Sequence, residues 1–182
     1  FVTENHDATA GALDMIADHG GVEEGDDSAF WAMDELFAED LSIQANFDAV
    51  AGVVDMENFA DYWSTEIWSS NSSWGHNVIL WKPHQGGKWQ YVFTDLDRGF
   101  SGATNDDINE FTAPQNDNYD YARLWVRHAL ENDDYRDFFA RRLADHLHTS
   151  FHPTRVNRLI DEWSERIEAE VPFHVERWNG TT

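Results

Sequence analysis

Cysteine is absent from the sequence, which excludes disulfides, iron–sulfur ligation and thiol nucleophiles. Lysine is nearly absent as well: Lys82 and Lys88 are the only two. With 12 basic residues against 35 acidic ones, the formal charge is −23, and such a surface repels phosphate backbones and argues against nucleic-acid binding. No apolar run approaches the roughly 20 residues needed to cross a bilayer. The start Phe1-Val2-Thr3-Glu4-Asn5 has neither the basic region nor the apolar stretch of a leader. Internal repeats and low-complexity tracts are lacking too.

What remains is material for a core. Of 182 residues, 41% are hydrophobic and 14% aromatic, enough for one compact domain over residues 1–182. The chain opens on Phe rather than Met and so reads as a piece of a longer or processed protein. Its acidity has two readings. One is halophilic adaptation, in which dense carboxylates keep the surface hydrated at high salt; the other is recognition of a basic protein partner or of cations.

Hydrophobic spacing predicts a mostly helical α+β fold. Ala12, Leu13, Ile16 and Ala17 suggest a helix over residues 8–18, stopped by Gly20-Gly21. Phe30, Trp31, Met33, Leu36 and Phe37 suggest a second, with Ser28 as cap, and a short segment follows at residues 47–53. Asp55 stands where an N-cap belongs, ahead of an apolar face of Met56, Phe59, Trp63 and Ile67. The period then changes to alternation, and residues 78–81 and 89–93 read as an antiparallel hairpin turning at Pro83-His84-Gln85-Gly86-Gly87. Residues 98–119 form a long Gly-, Asn- and Asp-rich connection. Three further helical stretches follow, at residues 121–130, 133–147 and 153–171, with Asn132 available as a cap and Pro172 as terminator. The architecture expected is a central β-hairpin flanked by helices.

The chemistry-bearing stretch is Phe93-Thr94-Asp95-Leu96-Asp97-Arg98-Gly99-Phe100. Carboxylates at a strand end, with glycine freeing the backbone beyond, suit a hard cation beside a phosphate. Asp-x-Asp also occurs in haloacid-dehalogenase phosphatases and glycosyltransferases, and an Asp-rich chain can produce it by chance. A dehalogenase fold would continue from that strand into a parallel sheet, whereas helices flank it here on both sides. His146, His148 and His152 are close in sequence, but positions two apart on a helix point different ways, so they read as surface residues rather than a zinc site.

Val54-Asp55-Met56-Glu57-Asn58-Phe59, the loop Asn71…Trp74…Asn77, Ile79-Leu80-Trp81, and Gly87-Lys88-Trp89 leading to Asp95-Leu96-Asp97 follow one another as in CotH kinases. Arg123-Leu124 and residues 138–145 are similar to that family's closing helices. The sequence resembles the C-terminal, metal-binding part of these atypical protein kinases, most strongly over residues 55–178 and loosely over residues 1–54. The resemblance implies a protein-kinase-like C-lobe without its nucleotide lobe, since no lobe lysine is recognisable. It implies Mg²⁺ (or Mn²⁺) and ATP as cofactors, protein Ser/Thr as substrate, and an extracellular, cell-envelope or spore-associated (spore coat) setting. Asp95 and Asn77 then correspond to metal- and nucleotide-binding positions, with Asp97 beside them as a further metal ligand. The family's catalytic Asp is replaced: aligned on Asn71 and Trp74 its position is Ser73, and aligned on Asn77 it is Ser72. Serine is a poor general base near neutral pH. The competing reading is therefore a pseudokinase, a non-catalytic acidic binding module.

Overall fold

The computed structural model describes residues 9–18, 20–71, 73, 77–100 and 121–178, the side chains of residues 121–124 excepted. Among them the order is β1 (Leu13–Ala17), β2 (Gly21–Glu24), α1 (Ser28–Phe37), α2 (Gln44–Val53), α3 (Met56–Ser69), β3 (Ile79–Pro83), β4 (Gln90–Val92), a 3₁₀ turn at Leu96–Arg98, α4 (Tyr121–Ala129), α5 (Asp133–His148), α6 (Pro153–Ile167) and α7 (Val171–Arg177). The fold is α+β and mostly helical. The chain divides into two compact units, residues 1–143 and residues 144–182.

The predicted hairpin is present, with Ile79 opposite Val92, Leu80 opposite Tyr91 and Trp81 opposite Gln90. It belongs to a larger antiparallel sheet of order β2-β1-β3-β4. The helix expected over residues 8–18 is instead β1, an inner strand of that sheet. Positive φ at Gly11 and Asp18 closes the segment at both ends, leaving too few residues for a stable helix, while β2 and β3 take up its backbone groups on either side.

One sheet face, carrying Ile16, Leu80, Trp89 and Tyr91, packs into the main core with Phe30, Phe37, Phe59, Trp63 and Trp125. Leu13, Trp81 and Val92 form a smaller cluster on the other. Because both faces of β1 are covered, its sequence does not alternate cleanly.

The helix α3 organises this unit. Asp55 caps it, accepting from the Asn58 N–H at 3.1 Å. Asn58 also covers the outer edge of β4: its Oδ1 accepts from the Tyr91 N–H at 2.7 Å and its Nδ2 donates to the Tyr91 carbonyl at 3.3 Å. A sheet edge that would otherwise present open backbone groups is thereby closed. Arg142 of α5 grips Asp61 of α3 in a two-pronged ion pair at 2.6 and 2.8 Å. The cap expected at Asn132 is present, accepting from the Tyr135 N–H at 3.0 Å.

In the second unit, α6 ends at Ile167, short of Pro172. Pro172 lies in the first turn of α7 rather than terminating the preceding helix, a position where its missing N–H costs nothing. The histidines act separately: His146 stacks on Phe151, His148 Nδ1 bonds the Ala144 carbonyl at 2.8 Å, and His152 Nδ1 accepts from the Thr154 N–H at 3.3 Å.

Candidate functional site

The C-terminal end of α3 anchors both segments singled out above. Ser70 takes a left-handed conformation, φ 50°, and turns the chain out of the helix into the loop beginning at Asn71. The same last turn receives the segment following β4: the Phe100 N–H donates to the Ser69 carbonyl at 2.5 Å, and Phe100 meets Trp68 edge to face at 4.9 Å.

Within the loop, Asn71 and Ser73 are buried. Asn71 Oδ1 accepts from the Ser73 backbone N–H at 3.1 Å and from Ser73 Oγ at 3.2 Å. Ser73 Oγ in turn accepts from Asn77 Nδ2 at 3.2 Å, and the Asn77 carbonyl accepts from Thr94 Oγ1 at 3.2 Å. Ser73 and Asn77 are therefore in direct contact, and the Asn77 backbone is tied to Thr94, the residue preceding Asp95. Ser72 and Trp74 lie outside the described residues, as do residues 101–120 of the long connection.

Asp95 is exposed and left-handed, φ 50°, where an Asp side chain is better tolerated than most; it introduces the 3₁₀ turn that carries the exposed Asp97. Among the described residues, no group of three or more acidic or histidine side chains is arranged to hold a metal ion. The two lysines are engaged elsewhere. Lys82 Nζ lies 3.7 Å from the buried Asp14, which also contacts His84 Nε2 at 2.9 Å, and Lys88 Nζ donates to the Ala51 carbonyl at 2.5 Å.

The chain matches the CotH kinase protein family model over residues 4–182. It belongs to this family. Compared with curated proteins and with solved structures, it finds no match. The family match begins at residue 4, so this CotH-family chain carries the likeness through residues 4–54 as well as through the stretch from residue 55 onward.

Sequence reasoning missed one buried acidic residue that contacts the candidate loop in this CotH-family protein. Glu66 is 1% exposed, and its Oε2 accepts from Asn71 Nδ2 at 2.9 Å. Burial pushes its carboxyl up to about 7, with the hydrogen bond from Asn71 opposing the shift. Burial, followed by the nearby Glu66 charge, raises the neighbouring Tyr62 phenol well above its usual range. A signal was present: Phe59, Tyr62, Trp63, Glu66 and Ile67 recur at three- and four-residue spacing, so a glutamate sits in register with the apolar face.

Proposed function

We propose that this chain is the metal-binding part of an atypical protein kinase that transfers phosphate from Mg²⁺–ATP to protein Ser/Thr hydroxyls slowly. The reading takes residues 55–178 as the counterpart of a kinase C-lobe: a loop, two antiparallel strands and a metal-type Asp, in that order. The observation that carries it is the double contact of Asn77, which bonds Ser73 at the family's Asp position and Thr94 beside Asp95.

The donor set suits magnesium arriving with its phosphates, since such sites use one or two carboxylates and fill the remaining positions with phosphate oxygens and water. Asn77 commits its amide nitrogen to Ser73, which leaves its oxygen as the atom to offer a cation. Asp95, with Asp97 beside it, supplies exposed carboxylate oxygens. Bound there, the metal would neutralise charge developing on the transferred group. Ser73 can accept a hydrogen bond from the acceptor hydroxyl and so orient it, but it takes up a proton poorly.

Removal of a general base typically slows a reaction by about 10²–10⁴-fold. Ser73→Asp is therefore expected to raise labelled-phosphate transfer from Mg²⁺–ATP to an arginine–serine copolymer by about 10²-fold or more, with nucleotide affinity little changed. Asp95→Ala abolishes metal-dependent nucleotide binding, measured by titration calorimetry. Fast transfer by the unaltered chain would mean that another group serves as base. Absence of nucleotide binding by the full-length protein would instead support the acidic binding module.

A further inference from the structure

We infer that Glu66 is a positioning residue for the acceptor hydroxyl, acting through Asn71 on Ser73; this rests on the kinase reading above. The orientation of the Asn71 amide is fixed from both ends. Its nitrogen faces a carboxylate oxygen at 2.9 Å, and its oxygen faces a backbone N–H, which can only donate, at 3.1 Å. Ser73 Oγ has one proton and two lone pairs. The proton is directed at Asn71 Oδ1, and one lone pair is taken by Asn77 Nδ2. Among the described residues nothing takes the second lone pair, which is the one left for an incoming hydroxyl.

The consequence is electronic as well as geometric. An ionised Glu66 draws on the Asn71 N–H and raises electron density on Oδ1, which strengthens the bond from Ser73 Oγ–H and makes Oγ a better acceptor. Chains of this kind reinforce each bond by about 10–30%. Glu66 thus contributes at one remove the negative charge that an Asp at position 73 would supply directly. It takes no proton itself. As the acceptor oxygen bonds to the γ-phosphorus, the bond to the bridging oxygen breaks, ADP leaves, and the hydroxyl proton passes to solvent. With the carboxylate base replaced by Ser73, orientation of the acceptor hydroxyl is what the loop still provides.

Ionisation of Glu66 near neutral pH makes the inference measurable. Among the described residues, the titratable groups beside Glu66 are Tyr62 of α3 and Tyr91 of β4, stacked on each other at 4.3 Å. Burial holds the Tyr62 phenol well above its ordinary range, so it stays neutral between pH 5.5 and about 8.5.

The experiment uses the full-length protein that contains this chain, wild type and Glu66→Gln, with Mg²⁺–ATP and an arginine–serine copolymer as acceptor. Wild-type kcat is expected to rise about tenfold from pH 6 to about 8, with a midpoint near 7 and an unchanged KM for Mg²⁺–ATP. Glu66→Gln is expected to stay flat at the low-pH level. A second readout is independent of turnover: the Asn71 side-chain amide resonance should shift with the same midpoint in the wild type and not in Glu66→Gln. A pH-insensitive Asn71 amide overturns the inference whether or not the chain is a kinase, and so does a Glu66→Gln pH profile matching the wild type. If the Asn71 resonance follows Glu66 but neither the wild type nor Ser73→Asp transfers phosphate at any pH, the kinase reading has failed and the positioning role falls with it.

Discussion

Glu66 also has a thermodynamic effect that can be measured without substrate. Its carboxyl moves from 4.5 in the ordinary state to about 7 when buried. A group whose folded value is raised contributes stability that is complete below its unfolded value and lost as pH rises through the folded one. At 1.36 kcal/mol per unit, the wild type should lose about 3 kcal/mol relative to Glu66→Gln between pH 4.5 and pH 8. Urea unfolding of both proteins at the two pH values reads the difference directly, and common effects of the other carboxylates cancel. At this scale the sequence disclosed the loop and the strand-end Asp pair because residue types and order carry them. It did not disclose that Glu66 feeds the loop, because a glutamate on an amphipathic helix ordinarily faces water.

Among the elements, helices with strong apolar stripes and visible caps were legible, as Asp55 ahead of α3 and Asn132 ahead of α5 illustrate. The strand β1 was not. Leu13 and Ile16 are three apart, as on a helix, and the backbone partners that make this segment a strand are remote in sequence. Gly25, just beyond β2, is another consequence of tertiary packing. It has φ +76°, and a Cβ there would lie 2.3 Å from Asp14 Oδ1 and 2.6 Å from the Leu13 carbonyl oxygen. Gly25→Ala is therefore expected to destabilise the fold by about 2 kcal/mol or more, through backbone strain and displacement of the buried Asp14. Thermal unfolding of the variant beside Gly86→Ala provides the control, since Gly86 also has positive φ, +69°, but nothing within 4 Å.

For the molecule as a whole, the charge of −23 sets the response to salt. Carboxylate repulsion opposes compaction, and the Debye length shrinks from about 10 Å at 0.1 M to about 3 Å at 1 M. The melting temperature should therefore rise across that range, and a flat curve would count against a surface adapted to high salt. The inner position of β1 has a different consequence, in time rather than energy. During synthesis, β1 and β2 emerge together as a hairpin, but Ile79–Pro83, which completes the hydrogen bonding of β1, follows more than sixty residues later. Such distant pairing is slow because a long loop must close before the contact is gained. The strand β1 thus waits, one edge open, until the helices between have been produced, and this part of the nascent chain is most vulnerable to misassociation in that interval.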